Sequence, residues 1–156
     1  MAMKTNLSIL SIIWPEALLR LPPHNIRILL LSGRFGVETA HRNVEADLST
    51  GLPDHFPVVP YLRDRPIPPS EAITLAFLES DEAAIFSVGT KSLGFLGHPG
   101  IKSGMIEDLI IEFEETPPET PQALEILREQ QVAIAESLSS IMRFIINRTG
   151  WMSDHG

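Results

Sequence analysis

The sequence contains no cysteine. A disulfide framework, a thiolate metal site and a cysteine nucleophile are therefore excluded from these 156 residues. The absence fits a reducing compartment, and the cytoplasm is the expected location. Positive charge is also scarce. Twelve Lys and Arg stand against twenty Asp and Glu, for a net charge of −8. The deficit is concentrated in the second half. Residues 1–65 carry seven basic and six acidic side chains, and residues 66–156 carry five and fourteen. Such a surface repels a phosphate backbone, so nucleic acid is not an expected partner, while a protein with a basic surface is.

Long apolar runs are missing too. Nothing approaches the ~18–20 residues that span a bilayer, so no membrane partner is expected. Leu7–Trp14, "LSILSIIW", is broken by Ser11 and stopped by Pro15, and it has no small-residue cleavage site. It reads as a strand rather than a signal peptide. There is no G-x-S-x-G elbow, no internal repeat and no Ser/His/Asp spacing that argues for a triad.

What remains is an ordinary globular composition, 44% hydrophobic and 21% charged, in a length suited to one domain over residues 1–156. Asn25–Gly33 reads as a buried strand because Leu29, Leu30 and Leu31 run without a polar break. Gly33 to Gly36 then turns the chain. Val37–Gly51 reads as a helix on the spacing of Val37, Ala40, Val44 and Leu48. Residues 53–69 hold six prolines and read as an extended connector, held to the body by Phe56 and Tyr61. Ser70–Ser80 reads as a short helix capped by Ser70. Ala83–His98 reads as two strands around Gly89–Ser92. Glu107–Glu115 fits a strand or a helix, and its short β-branched run favours the strand.

The C-terminal segment carries the clearest period. Leu124, Leu127, Gln131, Ile134, Leu138, Ile141 and Ile145 are spaced alternately by three and four. Acidic residues come early and Arg143 and Arg148 late, as a helix dipole favours, and Gly150 marks the stop. The pattern predicts one long amphipathic helix over about 119–149. Residues 121–148 alone would extend about 42 Å, as far as the whole domain is wide. The seven seam residues are therefore the expected homodimer interface. The fold class that follows is α+β, with a mixed, largely antiparallel sheet of four or five strands packed against helices.

Two glycine-rich loops hold the candidate ligand-binding residues. In "LSGRFGVETAHR" they are Gly33, Arg34 and Gly36; in "LGFLGHPGIKSGMI" they are His98, Gly100, Lys102 and Ser103. Neither loop matches a nucleotide fingerprint. The second has Ile101 where a P-loop needs glycine, and Pro99 removes a backbone donor. A looser anion site there needs a helix from Met105 onward. Glu38 and His41 have the E-x-x-H spacing of di-metal helical bundles, but the chain has too few long helices for one. Asp54-His55 is adjacent in sequence, which does not orient a base. No metal and no cofactor is expected. The main functional expectation is a non-enzymatic binding, assembly or regulatory protein, dimeric and acidic. The alternative is a protein or enzyme for a small anionic ligand, using residues 32–36 and 97–104.

Overall fold

The computed structural model describes residues 27–89, 92–112 and 118–150. The expected strand at Leu7–Trp14 lies outside them. Seven strands and three helices follow in chain order among the described residues. They are β1 (Arg27–Phe35), β2 (Glu38–Arg42), β3 (His55–Val58), β4 (Tyr61–Ile67), β5 (Ile73–Leu78), β6 (Ala83–Val88), β7 (Ser92–Phe95), α1 (Ser103–Glu112), α2 (Thr120–Glu129) and α3 (Gln131–Thr149). β1 and β4 form a two-stranded antiparallel ribbon. The other five form an antiparallel sheet in the order β3-β2-β5-β6-β7. The α+β class is as expected. No helix among the described residues is long and apolar enough to cross a membrane.

Several local expectations are corrected. Val37–Gly51 is not an α-helix, and its helical part is a single 3-10 turn at Asp47–Ser49. Its first part is β2, paired on both sides, with Ala40 opposite Phe56 on β3 and Leu78 on β5. Asn43 then ends the strand. Its side-chain oxygen accepts from the Glu45 N–H, an Asx turn, and its side-chain nitrogen donates to the Thr74 carbonyl. Val44, one of the four residues of the supposed helical face, is largely exposed. Ser70–Ser80 is not a helix either; its residues Ile73–Leu78 are β5, in the middle of the sheet. Pairing to β2 and β6 outweighs local propensity there, and the Ser70 hydroxyl donates to Glu71 instead of capping a helix.

The proline-rich connector is also ordered differently from the expectation. Residues 55–58 and 61–67 are β3 and β4. Phe56 is buried as expected, and Tyr61 is half-buried. Glu107 to Glu112 belongs to helix α1 rather than to a strand. Ile106 is fully buried, Leu109 and Ile110 pack beside it, and Ile111 points outward at 84% exposure. That is the period of a helix face, not of a strand. The β6–β7 hairpin and the stop at Gly150 match expectation. Gly150 has φ 66° and donates its N–H to the Ile146 carbonyl.

The C-terminal helix is divided. α2 ends at Glu129 and α3 begins at Gln131, with Gln130 between them at φ −86° and ψ 0°. The Gln131 side chain donates to the Leu127 carbonyl at 3.0 Å and to the Ile101 carbonyl at 3.4 Å. The division lets one periodic face serve two cores. Leu127 and Ile134 pack with Phe35, Val59, Ile101 and Ile106. Ile141, Phe144 and Ile145 pack against the five-stranded sheet through Phe56, Val58 and their neighbours. Each such side chain stabilises the chain by roughly 1.5–3 kcal/mol. Of the seven residues named as a dimer interface, Leu127, Ile134, Ile141 and Ile145 are buried within the chain, and Leu124, Gln131 and Leu138 are half-buried. Leu124 lies against the same core as Leu127, and Leu138 lies against Gly100.

Candidate functional site

Strand β7 delivers the chain into the turn Leu96–Lys102, and α1 starts at Ser103. The Leu96 N–H still donates to the Ala84 carbonyl, so the strand register holds to the start of the turn. Gly97 comes next. A Cβ there would stand 2.5 Å from the Val59 carbonyl oxygen and 2.9 Å from the Pro60 nitrogen. Only glycine lets the turn press against the β3–β4 link this closely. That contact fixes where His98 leaves the backbone.

His98 is half-buried and lines a cavity of ≈310 Å³. Val59, Leu62, Ile101, Met105 and Leu109 supply apolar walls. Tyr61 and Asp108 supply the other polar groups. The backbone N–H of Gly100 donates to His98 Nδ1 at 3.1 Å. An acceptor nitrogen carries no proton, so in the neutral ring the proton is on Nε2. Burial also pulls the His98 pKa below the ordinary imidazole value of 6.5. His98 is therefore a neutral imidazole near pH 7, with an N–H to donate and no free lone pair. Burial pushes the Tyr61 hydroxyl pKa upward, so it too is a donor rather than an anion.

Of the residues expected from sequence, the turn 97–103 contributes and the turn 33–36 does not. Gly33 lies within β1, which runs on to Phe35, beside the register irregularity between Leu30 and Arg34. Arg34 is engaged elsewhere. Its Nη1 donates to Glu82 Oε2 at 2.8 Å and its Nη2 donates to Glu38 Oε1. Gly36 donates its N–H to the Pro60 carbonyl at 3.3 Å. None of the three lines the cavity. Phe35 supports it from behind, edge-on to Tyr61 with ring centroids 5.5 Å apart. In the second turn, Gly100 orients the histidine and packs under Leu138. Lys102 is exposed, and Ser103 opens α1. The helix that a loose anion site at this turn requires is present after all.

Sequence reasoning missed Tyr61 and Asp108. Tyr61, the sole tyrosine of the chain, is expected from sequence only as an anchor of the connector to the body. Asp108 was hidden by the strand reading of its segment. The spacing of Glu38 and His41 has no helical meaning on strand β2, and Glu38 is bound to Arg34. Among the described residues, no group of three or more His, Asp or Glu is placed to hold a metal ion.

No known protein family matches the chain by sequence, and no curated protein matches it. Solved structures do match by fold. One is a glutamine amidotransferase from Thermotoga maritima, 18% identical, with a TM-score of 0.55 over 77% of this chain and 55% of that one. Another is a glutamine amidotransferase from Methylobacillus flagellatus, 16% identical, with a TM-score of 0.61 over 81% of this chain and 55% of that one. This chain spans little more than half the length of either. At this identity the likeness concerns the fold. It corrects the expectation of a non-enzymatic assembly protein, because these solved examples of the fold are enzymes.

Proposed function

We propose that the chain forms part of an enzyme site for a small carboxamide, of the kind that the name glutamine amidotransferase implies for its fold neighbours. The observation that carries this reading is His98, held as a neutral Nε2–H donor at an apolar cavity. A carboxamide oxygen accepts from that N–H. In a site with few competing waters, such a donor polarises the carbonyl and stabilises charge that develops on its oxygen. The N–H groups of Ser103 and Gly104 at the start of α1 and the exposed Lys102, between the lining residues Ile101 and Met105, suit a carboxylate at the other end of the ligand.

The attacking group is a separate matter. These residues supply no thiol, and besides His98 the cavity lining offers the neutral Tyr61 hydroxyl and the Asp108 carboxylate. The step assigned to this chain is therefore binding and polarising the carboxamide. We assign the attack to water or to a group other than Tyr61. The cysteine-free sequence accords with a cytoplasmic location.

Calorimetric titration with L-glutamine tests the reading, with L-glutamate as the comparison ligand. Binding of glutamine that weakens at least tenfold in His98→Ala supports it. Absence of binding at millimolar glutamine overturns it.

A further inference from the structure

His41 on β2 and His55 on β3 are directly opposed in register, on the outermost pair of strands in the five-stranded sheet. Their Nδ1 atoms face each other at 3.0 Å, and the rings lie edge-to-face at 79°. Neither residue lines the His98 cavity. With no metal bound, one Nδ1–H donates to the lone pair of the other Nδ1, the donor being set by the tautomer.

We propose that His41 and His55 form a cross-strand chelate for a divalent transition-metal ion. The argument is geometric. Imidazole nitrogens bind such ions at about 2.0–2.1 Å. Two nitrogens 3.0 Å apart and equally distant from one ion then subtend about 94° at it. A right angle suits octahedral or tetragonal Ni2+ and Cu2+ better than tetrahedral Zn2+, which needs a wider bite. The sheet register sets the spacing in advance, so little ordering is needed on binding. On metal binding the donating ring moves its one proton from Nδ1 to Nε2 by exchange with solvent, so both Nδ1 lone pairs face the ion and each neutral ring keeps a single proton on Nε2.

A second observation supports the assignment. The Glu79 carboxylate lies 4.0 Å from His41 Nε2. At that distance it makes no hydrogen bond, but the exposed side chain has room to close on the Nε2–H of a ligating His41, where a carboxylate raises the basicity of the ring. The neighbouring cation is also neutralised, since Arg42 donates twice to Asp54 Oδ1 at 2.9 and 2.7 Å. Two protein nitrogens leave the other coordination positions to water, so the ion would be exchangeable rather than a permanent part of the fold.

The test is a thermal melt of the untagged chain, stripped of metal, with and without Ni2+. By linkage, Ni2+ at a hundredfold excess over its Kd raises Tm by roughly 5–10 °C. His41→Gln and His55→Gln each abolish the rise. Glu79→Gln weakens the metal affinity about tenfold, and His98→Gln leaves it unchanged. The metal-free melts show that the variants fold. Paramagnetic broadening of amide signals by Ni2+ centred on residues 40–42 and 54–56, with the paired β5 residues 76–78 and the adjoining Glu79 also affected, locates the ion. No rise at millimolar Ni2+, or a rise that survives in both His41→Gln and His55→Gln, would overturn the proposal and leave a hydrogen-bonded histidine pair.

Discussion

The Gly100 N–H donates to His98 Nδ1 at 3.1 Å, two residues along the same turn. This contact decides what the imidazole can do. With Nδ1 used as an acceptor, the neutral ring presents a donor at Nε2. A base at Nε2 would need the opposite tautomer, with Nδ1–H facing an acceptor. The backbone of this turn supplies a donor instead.

The buried ring gives a pH dependence of defined sign. The folded pKa of His98 lies below 6.5 because burial disfavours the charged form. Between the folded value and 6.5, the unfolded chain binds more protons than the folded one, so stability rises with pH across that window. The contribution is complete above about 6.5 and is lost as pH falls toward the folded value. His98→Gln flattens this part of the stability profile. Denaturant melts at a series of pH values from 4.5 to 7.5 measure it.

Gly97→Ala tests the close approach beneath the site. The new Cβ meets backbone atoms of Val59 and Pro60, which cannot swing aside as a side chain can. The expected cost is about 1–3 kcal/mol in denaturant melts. The displaced turn should also shift the His98 ring resonances. A neutral substitution with an unmoved His98 would show that the turn is not held by this contact.

The divided C-terminal helix predicts a contrast between two branched residues of α3. Ile141 is fully buried and Val132 is 69% exposed. Ile141→Ala should cost about 2–5 kcal/mol, and Val132→Ala should stay within about 0.5 kcal/mol. Equal effects would mean that the inward face has been misassigned.

Arg34 is expected to matter for stability rather than for ligand binding. It joins Glu38 on β2 to Glu82, whose side chain is only 6% exposed. Removing a charged partner of a buried carboxylate costs about 1.5–3 kcal/mol, and the partial exposure of Arg34 puts the expected loss toward the lower figure. Arg34→Ala should therefore lower the denaturation midpoint and leave glutamine affinity unchanged. A loss of affinity with intact stability would return the 33–36 turn to the site.

The sequence was legible where local chemistry and final environment agree. The β6–β7 hairpin, the helical period after residue 120 and the Gly150 stop are of this kind. β2 and β5 were misread because their helical spacing is incidental. What makes them strands is hydrogen bonding to partners distant in sequence, such as Ala40 to both Phe56 and Leu78. The seam of Leu127, Ile134, Ile141 and Ile145 was legible as one apolar face. Its cover was not, because a bend at Gln130 is invisible to a period that continues through it. At the site, the glycine-rich turn drew notice to His98. The loss of Arg34 from the candidates follows from a carboxylate 48 residues away, which no local pattern reports.

The most direct test of the account is the imidazole nitrogen spectrum of His98 during a glutamine titration, recorded by 15N NMR near pH 7.5. The account predicts a protonated Nε2 and an unprotonated Nδ1 in the free chain, with the Nε2 signal shifting as glutamine saturates the cavity. A proton found on Nδ1, or an Nε2 signal that ignores millimolar glutamine, would contradict it.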